Sequence, residues 1–489
     1  DDTDQAVGNF DAITYEKGAA VIKQLVAALG DDAFRAGLKT YFQRHAWSNA
    51  TLSDFLGALG AAAGQSLEAW SKAWLQTPSL NTIGARWSSD AGRISAMELW
   101  QTAPQQHPAL RPHATYLGLV TGADDGGELQ LDSIAVRIDS AVKLVPEAVG
   151  RATPRLVHAN HGDHDFALTI LDPISLEFAL ARLPDLPDAL LRQQVWSALW
   201  EMVRDARLAS PTFLDAVRRF APAETDRGLV QAIVDRAIET LRRYVPAERM
   251  AAESEALLGI AMGAMRVTEQ EDLRLVWARA ATAIASSAGG IEHLLELVDG
   301  VWSIDGFEPD QQMRWDLAIK AVAHGLDGSS DRLETEESRD RSDRGQRSSV
   351  RARAARPDAH SKHAAWERIN GDGYGSDYLT RSAIAGFQWM HQREVLLTFR
   401  EPFFERAINI HATRDHAFAE SYVHWLVPDR WAEHEVLEEI GRVSEGLGDG
   451  SVLLRRQFDE IADDLARAIR VRAFAGDQHQ AALGEVPAG

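Results

Sequence analysis

The chain has 489 residues, 45% apolar and 25% charged, with a formal net charge of −21 and no cysteine. That length is more than one hydrophobic core organises, so two to four domains are expected, and the acidity argues against nucleic acid or an anionic membrane surface as partner. The lack of cysteine excludes disulfides and thiolate chemistry and fits a reducing cytoplasm, and no apolar run reaches the roughly 18 residues of a membrane span. The first residues show neither a basic start nor an apolar signal core, and residue 1 is Asp, which fits a processed protein or a fragment.

Residues 14–74 read as three or four helices. Ala19, Ile22, Leu25, Val26 and Leu29 fall at spacings of three and four and form one apolar stripe, which Gly30 ends. Phe34, Leu38, Tyr41 and Phe42 repeat the pattern. Thr51 followed by Asp54 predicts an N-cap pair opening a helix over 52–59, and Trp70 and Trp74, one turn apart, close the region before Pro78.

From residue 83 to about 171 the period changes. Short segments at 93–100, 114–121, 134–138 and 166–171 are separated by turn-rich stretches, notably Gly-Ala-Asp-Asp-Gly-Gly at 122–127, which predicts a small antiparallel β-sandwich. Beyond residue 175 the chain reads as helical again. Helix periodicity is clear at 190–207, 229–244, 273–285, 313–324, 378–388 and 452–474, with Pro or Gly in the short connections, and suggests stacked antiparallel pairs in an α-solenoid-like array without a strict sequence repeat. Residues 329–357 stand apart as an interleaved run of Asp, Glu, Arg and Ser. A solvated helix or loop on an outer face is one reading of that run, and a partner-binding arm is the other.

The stretch Asn9-Phe10-Asp11-Ala12-Ile13-Thr14-Tyr15-Glu16-Lys17-Gly18-Ala19 resembles a catalytic segment of the aminopeptidase N family of zinc metalloaminopeptidases. Phe34-x-x-Gly37-Leu38-x-x-Tyr41, Asn49-x-Thr51-x-x-Asp54, Trp70-x-x-x-Trp74 and Thr77-Pro78 follow in the order that family uses after its active site. Gln101-Thr102-Ala103-Pro104, Leu110-Arg111-Pro112-His113 and Trp196-x-x-Leu199-Trp200-Glu201-Met202-Val203-Arg204-Asp205 look like its bacterial, actinobacterial branch. The resemblance implies zinc-dependent removal of single N-terminal residues from peptides. In the family a zinc ion held by His-Glu-x-x-His and a distant Glu activates water, the motif Glu is the general base, and a tyrosine donates its hydroxyl to the oxyanion. By position in the motif that tyrosine is Tyr15. A phenol with an ordinary pKa near 10 stays protonated at neutral pH and suits the role. Glu16 and Lys17 read as surface or hinge-supporting charges, and Gly18 as a site of close helix packing.

The metal motif itself is not in the sequence. His434-Glu435-Val436-Leu437-Glu438 has Glu where the second His is required and reads as a charged helix face. His158-Ala159-Asn160-His161-Gly162-Asp163-His164-Asp165 is dense enough in imidazole and carboxylate for adventitious metal binding, but the resemblance makes it a turn before the last sandwich strand. His360 with His363 and His411 with His416 lack convergent partners, and Trp196, Trp200 and Met202 read as helix core.

The expected organisation is mainly α with a small β-sandwich: the helical end of a thermolysin-like catalytic domain over 1–79, the sandwich over 80–173 and a helical C-terminal domain over 174–489. The resulting expectation is the C-terminal portion of a zinc-dependent aminopeptidase, with peptide substrates, no nucleic-acid or membrane partner and no readable mark of oligomeric state. Zinc belongs to the full-length family member and none is expected to bind this chain, which alone is expected to be inactive. The alternative is a non-catalytic helical-repeat module that binds peptides or proteins. Helices in 14–74 are expected to leave apolar faces exposed.

Overall fold

The computed structural model describes residues 13–122, 127–448 and 451–484. Residues 9–12 of the Tyr15 motif and 123–126 of the glycine-rich turn lie outside the described residues. The chain divides into two compact units, Asp1–Met202 and Val203–Gly489, the division falling inside the helix Ala189–Arg204.

The first unit begins with a wide π-type turn, Ile13–Lys17, that runs into the helix Gly18–Leu29. Gly30, at φ 85°, ends that helix in a conformation that favours glycine, and the helix Asp31–His45 follows at once. The Thr51–Asp54 pair forms the expected capping box at the start of Leu52–Ala63: Asp54 N donates to Thr51 Oγ1 at 3.2 Å and Thr51 N donates to Asp54 Oδ2 at 2.9 Å. The helix Glu68–Leu75 completes the group. Val21, Leu25, Leu59, Leu67, Trp70 and Trp74 form its core. Gly37 accounts for one glycine of the motif series, because a Cβ there would come within 2.7 Å of Leu59 Cα. Gln24, buried on the apolar face, accepts the Trp70 indole N–H at 2.7 Å, so the one polar group on that face is paired.

Among the described residues seven strands follow: β1 (Thr82–Asp90), β2 (Arg93–Thr102), β3 (His113–Thr121), β4 (Gln130–Ile138), β5 (Val142–Leu144), β6 (Leu156–His158) and β7 (Leu168–Ile170). They make a four-stranded sheet in the order β5-β2-β1-β7 and a three-stranded sheet in the order β4-β3-β6. Inward residues of both, among them Ile83, Met97, Leu99, Leu117, Leu119, Ile134 and Val136, meet in one core, as alternation requires. β1 and β2 are joined by the two-residue turn Ala91-Gly92, both at positive φ, the geometry that matches strand twist. Two details differ from the sequence expectation. β1, like the three-residue strands β5 and β6, is not among the segments named from sequence; its second half, residues 86–90, is largely exposed and carries a bulge at Ser88/Ser89. The β1–β7 pair is parallel, with the rest of the sandwich lying between the two strands in sequence.

The second unit is helical. Its longest elements include Ala247–Val267, Glu271–Ile284, Gln311–Ala323, Arg400–Thr413 and Val452–Gly484. Asp226, Asp310, Ser376 and Asp415 each cap the first turn of the helix they precede by accepting a backbone N–H. Neighbouring helices pack as pairs, and an aromatic core of Trp366, Phe387, Phe399, Phe403, Tyr422 and Phe458 fills its later part. The charged run 329–357 is not a loop: it folds as Ser329–Arg339 and Asp343–Ala355. Leu333, Ala352 and Ala355 on its inner side join Trp315, Ile319 and Val322 in a core cluster, while most of its charges stay outward. The alternation of Arg with Ala and Ser at 347–355 hides a helical stripe of small residues, which composition alone does not show.

Helix C-termini in this unit are closed by side chains from other helices. Lys362 is fully buried and donates to the carbonyls of Ala354 and Phe387, while Gln392 donates to Ala323 O at 2.7 Å and Ala355 O at 2.9 Å. Gln388 donates to Leu426 O and Val427 O, Ser254 to Ile284 O at 3.0 Å and Ser210 to Tyr244 O at 2.8 Å. Each bond satisfies a carbonyl that has no partner within its own helix.

Candidate active-site segment

Tyr15 sits in the middle of the π-type turn with 66% of its surface exposed. Wide turns of this kind are frequent at functional sites because they push one side chain out of helical register. Glu16 is exposed and Lys17 half-buried, in keeping with their reading as surface charges. Gly18 differs from expectation among the described residues: a Cβ there would meet nothing within 4 Å, so none of them packs closely against it.

The helix that carries Tyr15 is held at several points. Lys23 Nζ donates to Asp163 Oδ2 at 2.8 Å, and the guanidinium of Arg137 on β4 donates to Ala28 O, also at 2.8 Å. Val21, Gln24 and Leu25 on its other face are buried in the helical core. The helix that follows Tyr15 is therefore fixed, while most of the surface of Tyr15 itself lies exposed.

The histidine-rich stretch 158–165 is the turn between β6 and β7. Asn160 organises it: its Oδ1 accepts from Thr115 Oγ1 at 2.7 Å and from Asp165 N at 3.0 Å, its Nδ2 donates to Asp165 O at 2.9 Å, and its own carbonyl accepts from Gln194. Asp165 in turn takes the Ala114 N–H at 2.8 Å and lies 3.0 Å from His113 Nδ1, both side chains fully buried. His158 is buried, its Nδ1 accepts the Asn160 N–H at 3.3 Å, and burial first, then His161, pushes its pKa down to about 3. Burial also lowers His161 and His164, the latter tilted against Tyr116 with ring centroids 4.9 Å apart.

These residues do not fit a zinc ion. Among the described residues no group of three or more His, Asp or Glu side chains converges as metal ligands would; Asn160 and Asp165 are spent on each other and on neighbouring strands, while His158 Nε2 and His161 Nδ1 are buried without a partner. His434, Glu435 and Glu438 are exposed along one helix, His360 is exposed, His363 packs on Phe399, and His411 bonds Gln457 at 3.2 Å.

Sequence reasoning missed the residues that brace this region. Arg111 Nε donates to Ala73 O at 2.8 Å and its Nη2 to Thr77 O and Pro78 O, each at 2.8 Å, while Asn81 Oδ1 accepts its backbone N–H at 3.1 Å. Arg111 stands in the motif Leu110-Arg111-Pro112-His113, which on sequence alone serves only as a mark of resemblance. Trp196, Trp200 and Met202 are core residues, as expected.

The Peptidase family M1 domain matches residues 1–74, and the ERAP1-like C-terminal domain matches residues 156–467. The chain is 33% identical to Aminopeptidase N of Streptomyces lividans over 482 residues, which is 96% of this chain and 56% of that protein. It is 35% identical to Aminopeptidase N of Lactococcus lactis subsp. lactis over 89 residues, 18% of this chain and 10% of that protein. With Aminopeptidase M1 of Arabidopsis thaliana it shares 36% over 77 residues, 16% and 9% of the two chains. The chain thus spans about half the length of the Streptomyces relative. Helical and sandwich architecture, ordered motifs and a match along nearly the whole sequence agree: this chain belongs to the aminopeptidase N family of M1 peptidases.

Proposed function

We propose that these 489 residues are the C-terminal portion of a zinc-dependent aminopeptidase acting on peptides in the cytoplasm, and that Tyr15 is its oxyanion-stabilising residue. The observation that carries the reading is the exposed phenol of Tyr15 on a turn braced by Lys23–Asp163 and Arg137, within the segment that matches the Peptidase family M1 domain. The neutral hydroxyl holds its proton at Oη and donates it in a hydrogen bond to the substrate oxygen as that oxygen gains charge. Sequence outside these residues supplies the metal, whose contribution is activation of the attacking water; nothing in the present chain is assigned to that step. The organisation into residues 1–79, 80–173 and 174–489 belongs to the same reading, as does inactivity of the isolated chain.

Purified chain should bind no zinc at one-to-one stoichiometry and should not hydrolyse an aminoacyl-anilide. The parent enzyme should, with kcat reduced about 10²–10³-fold by Tyr15→Phe. Unchanged kcat in that variant would remove Tyr15 from the reaction, and a parent enzyme devoid of hydrolysis would favour a peptide-binding module instead.

A further inference from the structure

A cavity of about 620 Å³, open to solvent, lies within the second unit. Arg242, Arg243, Lys320, Arg351, Arg430 and Arg472 line it, against the carboxylates of Asp235, Glu239 and Asp429. In a chain of net charge −21 this is a local reversal of sign.

Half of these cations are already committed. Arg472 donates to the carbonyls of Arg243 and Trp431, both at 2.8 Å, Lys320 Nζ donates to Ala283 O and Ala285 O, and Arg243 lies 3.8 Å from Asp429. The other three are not. Arg242 makes one long bond, 3.4 Å to Ala283 O, and Arg430 makes one from Nε to Gln388 Oε1 at 3.2 Å. Arg351 Nε is buried with no partner, and none of the three forms an ion pair among the described residues.

The three guanidinium groups are also near enough to repel one another. Burial first, then Arg430 and Arg351, depresses the pKa of Arg242; burial and then, among the cations, Arg243 and Arg351 depress that of Arg430. Guanidinium stays protonated in proteins, so the repulsion is not relieved by proton loss. The carboxylates relieve it only at Arg430. Asp235 and Glu239 are exposed and Asp235 accepts from Gln231 at 2.9 Å; Asp429 favours the charged form of Arg430 but is shared with Arg243, and Asp316 and Glu248 act on Lys320 and Arg472, which leaves Arg242 and Arg351 without a neutralising carboxylate.

We propose that Arg242, Arg351 and Arg430 form a binding site for a diphosphate group, free or carried on a small organic molecule. Three planar forks with unspent N–H donors, reaching one void from three separate segments, suit an anion whose oxygens point in several directions and whose charge exceeds one. Trp389 and Trp425, which also line the cavity, give apolar surface for an organic carrier, and the volume is that of a small-molecule site. The site is independent of the peptidase reading, since its test reads binding and not hydrolysis.

The test is calorimetric titration and thermal unfolding of the full 489-residue chain with inorganic pyrophosphate and with a nucleoside diphosphate, magnesium-free and at constant ionic strength. The expected result is a Kd below about 1 mM with a rise in Tm, weakened about tenfold or more by Arg351→Gln and by Arg242→Gln. Ligand-free Tm should be unchanged or higher in both variants because mutual repulsion falls, whereas a purely structural arginine would lower it. Arg347→Gln, at an exposed pair with Asp343, should leave binding unchanged. Tighter binding of the nucleoside diphosphate assigns an organic carrier, and tighter binding of pyrophosphate assigns the free anion. The proposal is overturned by absence of binding to both, by an equal effect of citrate, or by variants that lose stability but keep affinity.

Discussion

The guanidinium of Arg111 lies over the ring of Trp74, 5.6 Å from its centroid, while its N–H groups are spent on the carbonyls of Ala73, Thr77 and Pro78. One side chain from the loop before β3 thus closes the end of the helix Glu68–Leu75 and fixes the chain where it enters the sandwich. His113, two residues on, meets the edge of the same Trp74 ring at 5.4 Å and pairs with Asp165. The motif Leu110-Arg111-Pro112-His113 is therefore architecture: Arg111 and His113 are buried, while Leu110 and Pro112 before and between them are exposed.

Replacing Arg111 with Ala strands those carbonyls in a buried setting and should destabilise the first unit by about 2–4 kcal/mol. Arg111→Lys should recover less than half of that, because a single ammonium cannot span the same acceptors. Urea unfolding followed by tryptophan fluorescence reads both; a loss below about 0.5 kcal/mol for Arg111→Ala would contradict the assignment.

Two glycines of the motif region should respond oppositely to alanine. At Gly37 the new methyl meets Leu59 Cα at 2.7 Å, and overpacking of that kind lowers stability by about 1–3 kcal/mol. At Gly18 the space is open and the residue begins a helix, so alanine should be neutral or raise stability by up to about 1 kcal/mol. Paired thermal melts decide this.

Much of the fold is legible in the sequence because its signals are local. The stripe from Ala19 to Leu29, the Thr51–Asp54 box and the strands around Leu117 and Val136 each follow from period and capping alone. What was not legible depends on partners distant in sequence. The parallel β1–β7 pair joins residues 86 apart, Thr82 with Leu168, and Arg111, Lys362 and Gln392 reveal their roles only once the carbonyls they close are folded against them. For the candidate site, Tyr15 stands out by its motif alone, whereas the brace from Lys23 to Asp163 joins a helix to a turn 140 residues on, which no local pattern reveals.

The buried His158 gives stability a pH dependence of known sign. Its folded pKa, about 3, lies below the ordinary value of 6.5, so the unfolded chain takes up a proton first. Its contribution is fully present above pH 6.5, falls as pH drops through the window from about 6.5 to about 3, and is lost below that, with a slope of up to about 1.4 kcal/mol per pH unit. His158→Gln should flatten the stability profile of the first unit in that window relative to the unmodified chain. Parallel profiles would show that His158 does not set the slope.

Tyr15→Phe should separate chemistry from folding. Because the phenol is largely exposed, stability should change by less than about 0.5 kcal/mol, while turnover in the parent enzyme should fall by the factor given above. A marked drop in Tm would instead make Tyr15 a structural residue.

Closure of helix C-termini by Lys362, Gln388 and Gln392 bears on how such an array can vary through evolution. Each of these side chains serves the carbonyl end of a helix other than its own, and Lys362 and Gln392 serve two each. A helix pair deleted from this part of the chain would therefore leave its neighbours' ends unsealed, and a duplicated pair would arrive without the side chain that seals it. Relatives of this protein should accordingly differ in the loops at the other ends of these helices and keep the number of pairs here constant.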